Sequence, residues 1–144
     1  MIGFFIALLS GALMSIQGVF NTEVTKNSSI WAANVFVQFT ATLVCLAIWL
    51  FADRTSLLAP LKVEPKYMLL GGVIGAGITW TVIKSMEMLG PAKATLFIVS
   101  TQLCVSYLIE LFGLFGVEKE PFVWKKMIGL ALAFIGILIF QWEA

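Results

Sequence analysis

The chain has 144 residues, 60% of them hydrophobic and 12% charged, with no histidine and a mean hydropathy of +1.01. Soluble domains are roughly 45–50% apolar and about 25% charged, and a chain this short has too little interior to hide the excess, so lipid is its expected solvent. A formal net charge of +1 sets up no field that would draw nucleic acid, and the absence of a nucleophile–base pair, a phosphate loop or a metal-ligand cluster argues against enzyme or metal chemistry.

Five apolar segments reach the about 20 residues that a helix needs to cross a hydrocarbon core. The first, Ile2–Phe20, has no basic leader and no small-residue cleavage site, and Gln17 and Asn21 stand where cleavage would fall. It is therefore predicted as a permanent helix rather than a signal peptide. At about 100° per residue, Gly3, Ser10, Gln17 and Asn21 form a polar stripe, and Gly11, Ser15 and Gly18 a small-residue stripe. The second segment, Ile30–Phe51, follows "NTEVTKNSS" and places Asn34, Gln38, Ala41 and Cys45 on one side. After "ADRTSLLAPLKVEPK" comes the third, Tyr67–Met86, whose Gly71, Gly72, Gly75 and Gly77 admit a neighbouring backbone. On another side of it Gly77, Trp80, Thr81 and Lys84 line up.

Gly90-Pro91 reads as a C-cap glycine followed by a proline suited to a helix start, which makes the third and fourth segments antiparallel neighbours. The fourth, Ala92–Phe115, aligns Thr95, Gln102, Ser106 and Glu110. The fifth, Phe122–Trp142, follows "GVEKEP", is nearly free of polar side chains, and carries Gly129, Ala133 and Gly136 in one stripe, the pattern of a packing seam between helices or subunits. Connections this short leave no room for a soluble domain, so residues 1–144 are predicted as a single five-helix transmembrane domain.

Trp31, Trp49, Tyr67, Trp124 and Trp142 fall near the ends of the segments, where interfacial rings belong. With five spans, Arg54, Lys62, Lys66, Lys119, Lys125 and Lys126 share the side of the N-terminus, against Lys26, Lys84 and Lys93 opposite. That bias favours a cytoplasmic N-terminus, and its small margin admits copies inserted the other way up. Cys45 and Cys104 sit inside apolar runs, where buried thiols are common and no disulfide is implied.

Polar stripes on three helices suggest a wet interior, although Asn34 and Gln38 could equally serve as interhelical hydrogen-bond donors. Lys84 reads as a snorkelling side chain, and Glu23, Glu87 and Lys93 as solvated helix-end charges. Glu110 stands apart, since it lies about six residues, or roughly 9 Å, inside its apolar run. An isolated carboxylate there costs at least ~2.5–3.5 kcal/mol, so a cavity, a cation or a proton must offset it. Burial favours the protonated form and a bound cation the ionised form, and competition between the two is the physical core of proton-coupled export. A structural salt bridge to a lysine such as Lys84 is the alternative.

The order of "MSIQGVFNTEV", "AANVFVQFTATLV", and the run from "MEMLGPAKATLFIVSTQLC" to "GLALAFIGILIF" resembles the YdcZ-like five-helix members of the drug/metabolite transporter superfamily over nearly the whole chain. Gln17, Asn21, Gln102, an acid at 110 before "FGLFG", Glu118-Lys119 and the glycine-rich last helix carry the resemblance. That family usually has Asp at the acidic position, often followed by His; here Glu110 is followed by Leu111, so no role for such a His carries over.

The resemblance implies an all-α integral protein of the cell inner membrane, half of an inverted-repeat transporter. A second copy inserted upside down, or an oppositely oriented five-helix paralogue, would complete it. It further implies proton-coupled export of a small cationic or amphipathic metabolite or drug, with no cofactor or metal. Glu110 would be the proton and substrate carboxylate. Gln102, Ser106, Gln17, Asn21, Asn34 and Gln38 would line the path, Trp80 would stack on the substrate, and Gly129, Ala133 and Gly136 would form the dimer seam. A non-transporting membrane subunit assembled with a partner protein is the other reading, and it predicts polar stripes buried against protein. A channel fits least, for want of a selectivity-filter signature.

Overall fold

The computed structural model describes residues 1–142, the side chain of Gln141 excepted; Glu143 and Ala144, the end of the predicted domain, lie outside the described residues. These are helix and connecting loop throughout: α1 (Ile2–Thr25), α2 (Ile30–Ile48), α3 (Gly71–Leu89), α4 (Pro91–Phe112) and α5 (Trp124–Gln141). A π-helical turn, Trp49–Asp53, continues α2, and a 3-10 turn, Lys66–Leu70, leads into α3. Four stretches are long and apolar enough to cross a membrane: Ile2–Thr25, Ile30–Asp53, Lys66–Leu89 and Pro91–Phe112. The fifth helix opens with Trp124-Lys125-Lys126, and its uninterrupted apolar part, 127–140, rises only about 21 Å.

The helix ends follow local chemistry. Ser29, in an extended conformation, caps α2 by accepting a hydrogen bond on its side chain from the Ala32 N–H at 3.0 Å. Gly90 takes φ +79°, and Pro91 opens α4, as the Gly-Pro pair predicts. Gly113, at φ +65°, ends α4 with its N–H turned back to the carbonyls of Glu110 and Ile109.

Several of the predicted boundaries shift, and the third segment runs on to Leu89 rather than ending at Met86. α1 runs on through Thr25, because the polar residues after Phe20 can continue a helix that no longer needs an apolar surface. α4 stops at Phe112, because a left-handed residue at 113 cannot extend it.

The chain divides into two compact units, Met1–Met88 and a second beginning at Leu89, one residue before the Gly90-Pro91 corner. On every helix large apolar side chains stay exposed, among them Phe4, Leu9, Phe36, Phe39, Ile74, Val99, Leu132 and Ile139. An apolar surface this continuous belongs in lipid.

In the first unit α3 packs against both α1 and α2. Ile83, Met86 and Ala33 are buried there with the polar Asn21, Thr25 and Asn34. Gly18 makes room for Met86, since a Cβ at that position would fall 2.5 Å from Met86 Cε. Gly71, Gly72 and Gly77 meet nothing within 4 Å of such a Cβ, so of the predicted close-approach glycines on α3 only Gly75 has a neighbour, the Gln38 amide at 3.9 Å.

In the second unit Tyr107 and Ile137 are buried, and the α4–α5 connection folds back on α4, the Glu120 N–H reaching the Glu110 carbonyl at 2.9 Å.

Candidate functional site

In hydrocarbon a polar side chain is tolerated when its hydrogen bonds are made. Most hydroxyls on the helices of the first unit meet that condition within their own helix, although Ser15 has no partner among the described residues. Ser10 donates to the Ile6 carbonyl, Thr22 to Gly18, Thr40 to Phe36, Thr42 to Gln38, Thr79 to Gly75 and Thr81 to Gly77.

The amides behave differently. Asn34 is 3% exposed and its Nδ2 donates to the Ala76 carbonyl at 2.8 Å, while its Oδ1 is buried without a partner among the described residues. Gln17 and Asn21 have no hydrogen-bond partner at all among the described residues, although Asn21 is only 8% exposed. Both line a groove of about 530 Å³ between α1 and α2, whose walls are Phe20, Val24, Phe36, Val37, Thr40, Ala41, Val44 and Cys45. A hollow of about 560 Å³ along α1, past Ser10 and Met14, shares Gln17, Phe20 and Asn21 with it. No acidic or basic side chain lines either one.

The remaining predicted residues are placed as follows. Gln38 is half-buried on the α2 face that meets α3. Trp80 is not free to stack on a ligand with its near face, because it lies on Trp31, ring centroids 6.3 Å apart and planes 25° apart. Trp31 itself is 62% exposed, and the sequence signalled it only as an interface anchor. Gln102 and Ser106 are exposed on α4 of the second unit. Gly129, Ala133 and Gly136 lie on an open face of α5, with nothing within 4 Å of either glycine's would-be Cβ. Cys45 and Cys104 are free thiols, and Cys45 is exposed in the groove rather than buried in an apolar run.

Glu110 sits in the last turn of α4, two residues or about 3 Å along the axis before the helix ends, rather than well inside a helix that runs on to Phe115. Its Oε2 lies 3.4 Å from Lys126 Nζ, which also reaches Glu120 Oε2 at 3.2 Å. The side chains of Glu110 and Lys126 are 45% and 39% exposed, so the pair is not sealed inside the protein. The lysine partner left open by the sequence therefore exists, as Lys126 rather than Lys84. Lys126 also lies 5.5 Å over the ring of the buried Tyr107, whose hydroxyl oxygen accepts from the Val123 N–H at 3.5 Å.

Sequence reasoning missed a second acidic cluster. Glu87, read as a solvated helix-end charge, accepts from Thr25 at 3.0 Å and pairs with Lys84 at 3.1 Å, tying the end of α1 to the end of α3. The signal was present: four residues beyond Asn21 on the stripe of Ser10, Gln17 and Asn21 stands Thr25.

The family model described as "Putative inner membrane exporter, YdcZ" matches residues 2–139. Comparison with curated proteins finds no match, and comparison with solved structures finds none. With nearly its whole length matched, the chain belongs to the YdcZ family of the inner membrane, a family of exporters rather than enzymes.

Proposed function

We propose that the protein is a secondary active exporter of the drug/metabolite transporter type, moving a small cationic or amphipathic metabolite or drug out of the cell in exchange for protons. In this reading all five helices cross the membrane, with Lys125 and Lys126 snorkelling from the short fifth span, and the working form is an antiparallel dimer of this chain, or of this chain with a five-helix paralogue. The observation that carries the reading is the pair of unpartnered amides, Gln17 and Asn21, both held against one groove between α1 and α2. A structural subunit would have spent those hydrogen bonds on packing. Rocking of one half against the other would then expose the groove to each side in turn.

Glu110 is the coupling group in this reading. Lys126, 3.4 Å from the Glu110 carboxylate, is the resident partner that a proton or substrate displaces, and Gln102 and Ser106 line the approach on α4. Reconstituted into liposomes carrying a lumenal pH dye, the protein should shift lumenal pH when its substrate is added, and Glu110→Gln should abolish the shift. Lys126→Gln should leave the fold intact, since pairs this exposed are worth only about 0–1 kcal/mol. Proton-coupled flux that survives Glu110→Gln would remove the coupling mechanism.

A further inference from the structure

We infer that the α1–α2 groove binds a neutral amphipathic molecule bearing a paired hydrogen-bond donor and acceptor, such as a carboxamide, rather than a cation. The inference deepens the exporter reading and rests on it for treating the bound molecule as cargo.

Three observations converge on it. First, Asn21 is more than nine-tenths buried as a residue and lines the groove, and its amide has no partner among the described residues. An amide that faces the groove without a partner can hydrogen-bond what enters it, and a carboxamide or hydroxyl brings the complementary donor and acceptor together, as neither a hydrocarbon chain nor an ammonium does. Gln17, one turn earlier on the same stripe, offers a second amide.

Second, the lining contains no Asp or Glu. A cation entering from water would give up hydration with no counter-charge to meet it, and desolvating an unpaired charge is far more costly than desolvating an amide. The two carboxylates that could have served, Glu87 and Glu110, are each engaged by a lysine within their own unit. Third, about 530 Å³ walled by Phe20, Phe36 and Val44 falls in the size range of small-molecule sites, roughly 300–1,000 Å³.

The test uses three molecules of one shape: 4-tert-butylbenzamide; its cationic isostere 4-(trimethylammonio)benzamide; and 4-tert-butyltoluene, which lacks the amide. Tritiated 4-tert-butylbenzamide should bind saturably to the full chain in lipid nanodiscs. The cation and the hydrocarbon should displace it at least about tenfold less well than the unlabelled amide, as the loss of one buried hydrogen-bonding pair or the desolvation of one charge requires. Asn21→Leu should weaken binding by at least about tenfold. Gln17→Leu, at an exposed position that the fold does not need, should weaken it severalfold and keeps the test decisive if Asn21→Leu does not fold.

Equal or better displacement by the cation overturns the inference, as does equal displacement by the hydrocarbon, which would make the groove a lipid slot. An affinity unmoved by either variant overturns it too, and so does the absence of saturable binding. A change in the number of chains per particle in place of a change in affinity would assign the groove to a second copy. Glu110-dependent proton flux driven by the cation without amide binding would sink the neutral class and leave the exporter reading standing. Amide binding without flux of any of the three would do the reverse.

Discussion

Asn34 shows how a single amide can be both a fastener and an exposed debt. Its Nδ2 joins α2 to the Ala76 carbonyl of α3, while its Oδ1 is buried unpaired. Asn34→Leu removes a cross-helix bond worth on average about 0.6 kcal/mol in membrane proteins, and it also removes the unpaired acceptor. Unfolding titrations in mixed detergent micelles should therefore show a loss below about 1.5 kcal/mol. Asn34→Asp keeps the shape but turns an acceptor toward the Ala76 carbonyl, and its loss should exceed about 2 kcal/mol. If the two variants were equally stable, the Nδ2 bond would not be what joins these helices. The sequence identified Asn34 as polar and inward but left its role open, because periodicity gives a residue's face and not the atom it meets. Thr25 was hidden for a different reason: it lies past the last apolar residue of α1, where an apolar-run criterion stops looking although the helix continues.

Among the elements, the end of α4 carries the clearest expectation. Gly113 and Gly116 both adopt left-handed backbone, at φ +65° and +84°, but a Cβ on Gly113 would fall 3.1 Å from Lys119 Cβ, whereas one on Gly116 meets nothing within 4 Å. Both alanine variants incur the conformational cost of about 1–2 kcal/mol. Gly113→Ala adds a steric cost and should be the less stable of the two by thermal unfolding, with its damage centred on the Glu110–Lys126–Glu120 cluster that this turn brings together. The existence of the five helices was legible in the sequence because each has a long apolar run. The depth of Glu110 was not: "LFGLFG" reads as a continuous apolar segment, and only the left-handed conformation of Gly113 cuts it short. The π-helical turn at Trp49–Asp53, closed by the Trp49 Nε1 bond to the Thr55 carbonyl at 2.7 Å, likewise leaves no trace in hydropathy.

For the whole molecule, the family and the membrane setting were readable because composition and motif order extend over nearly the full chain. Assembly was not readable, since the small-residue stripe on α5 says only that something can come close. The orientation bias of Lys and Arg is weak, so an antiparallel homodimer requires copies facing both ways. Paired reporters fused after Ala144, one active only in the cytoplasm and one only outside, should both give signal. Signal from one alone would redirect the search for the second half to an oppositely oriented paralogue.

The Ser and Thr hydroxyls that donate back into their own turns bear on speed as well as solubility. A side chain whose proton stays inside its own helix meets lipid, water or another helix at nearly the same enthalpy, so the faces it occupies can change neighbours without breaking a bond. Within the first unit, resistance to such exchange is then concentrated at two points, Thr25 on Glu87 and Asn34 on the Ala76 carbonyl. Those two contacts, rather than the number of polar residues, are where the pace of any rearrangement of α1 and α2 against α3 is set.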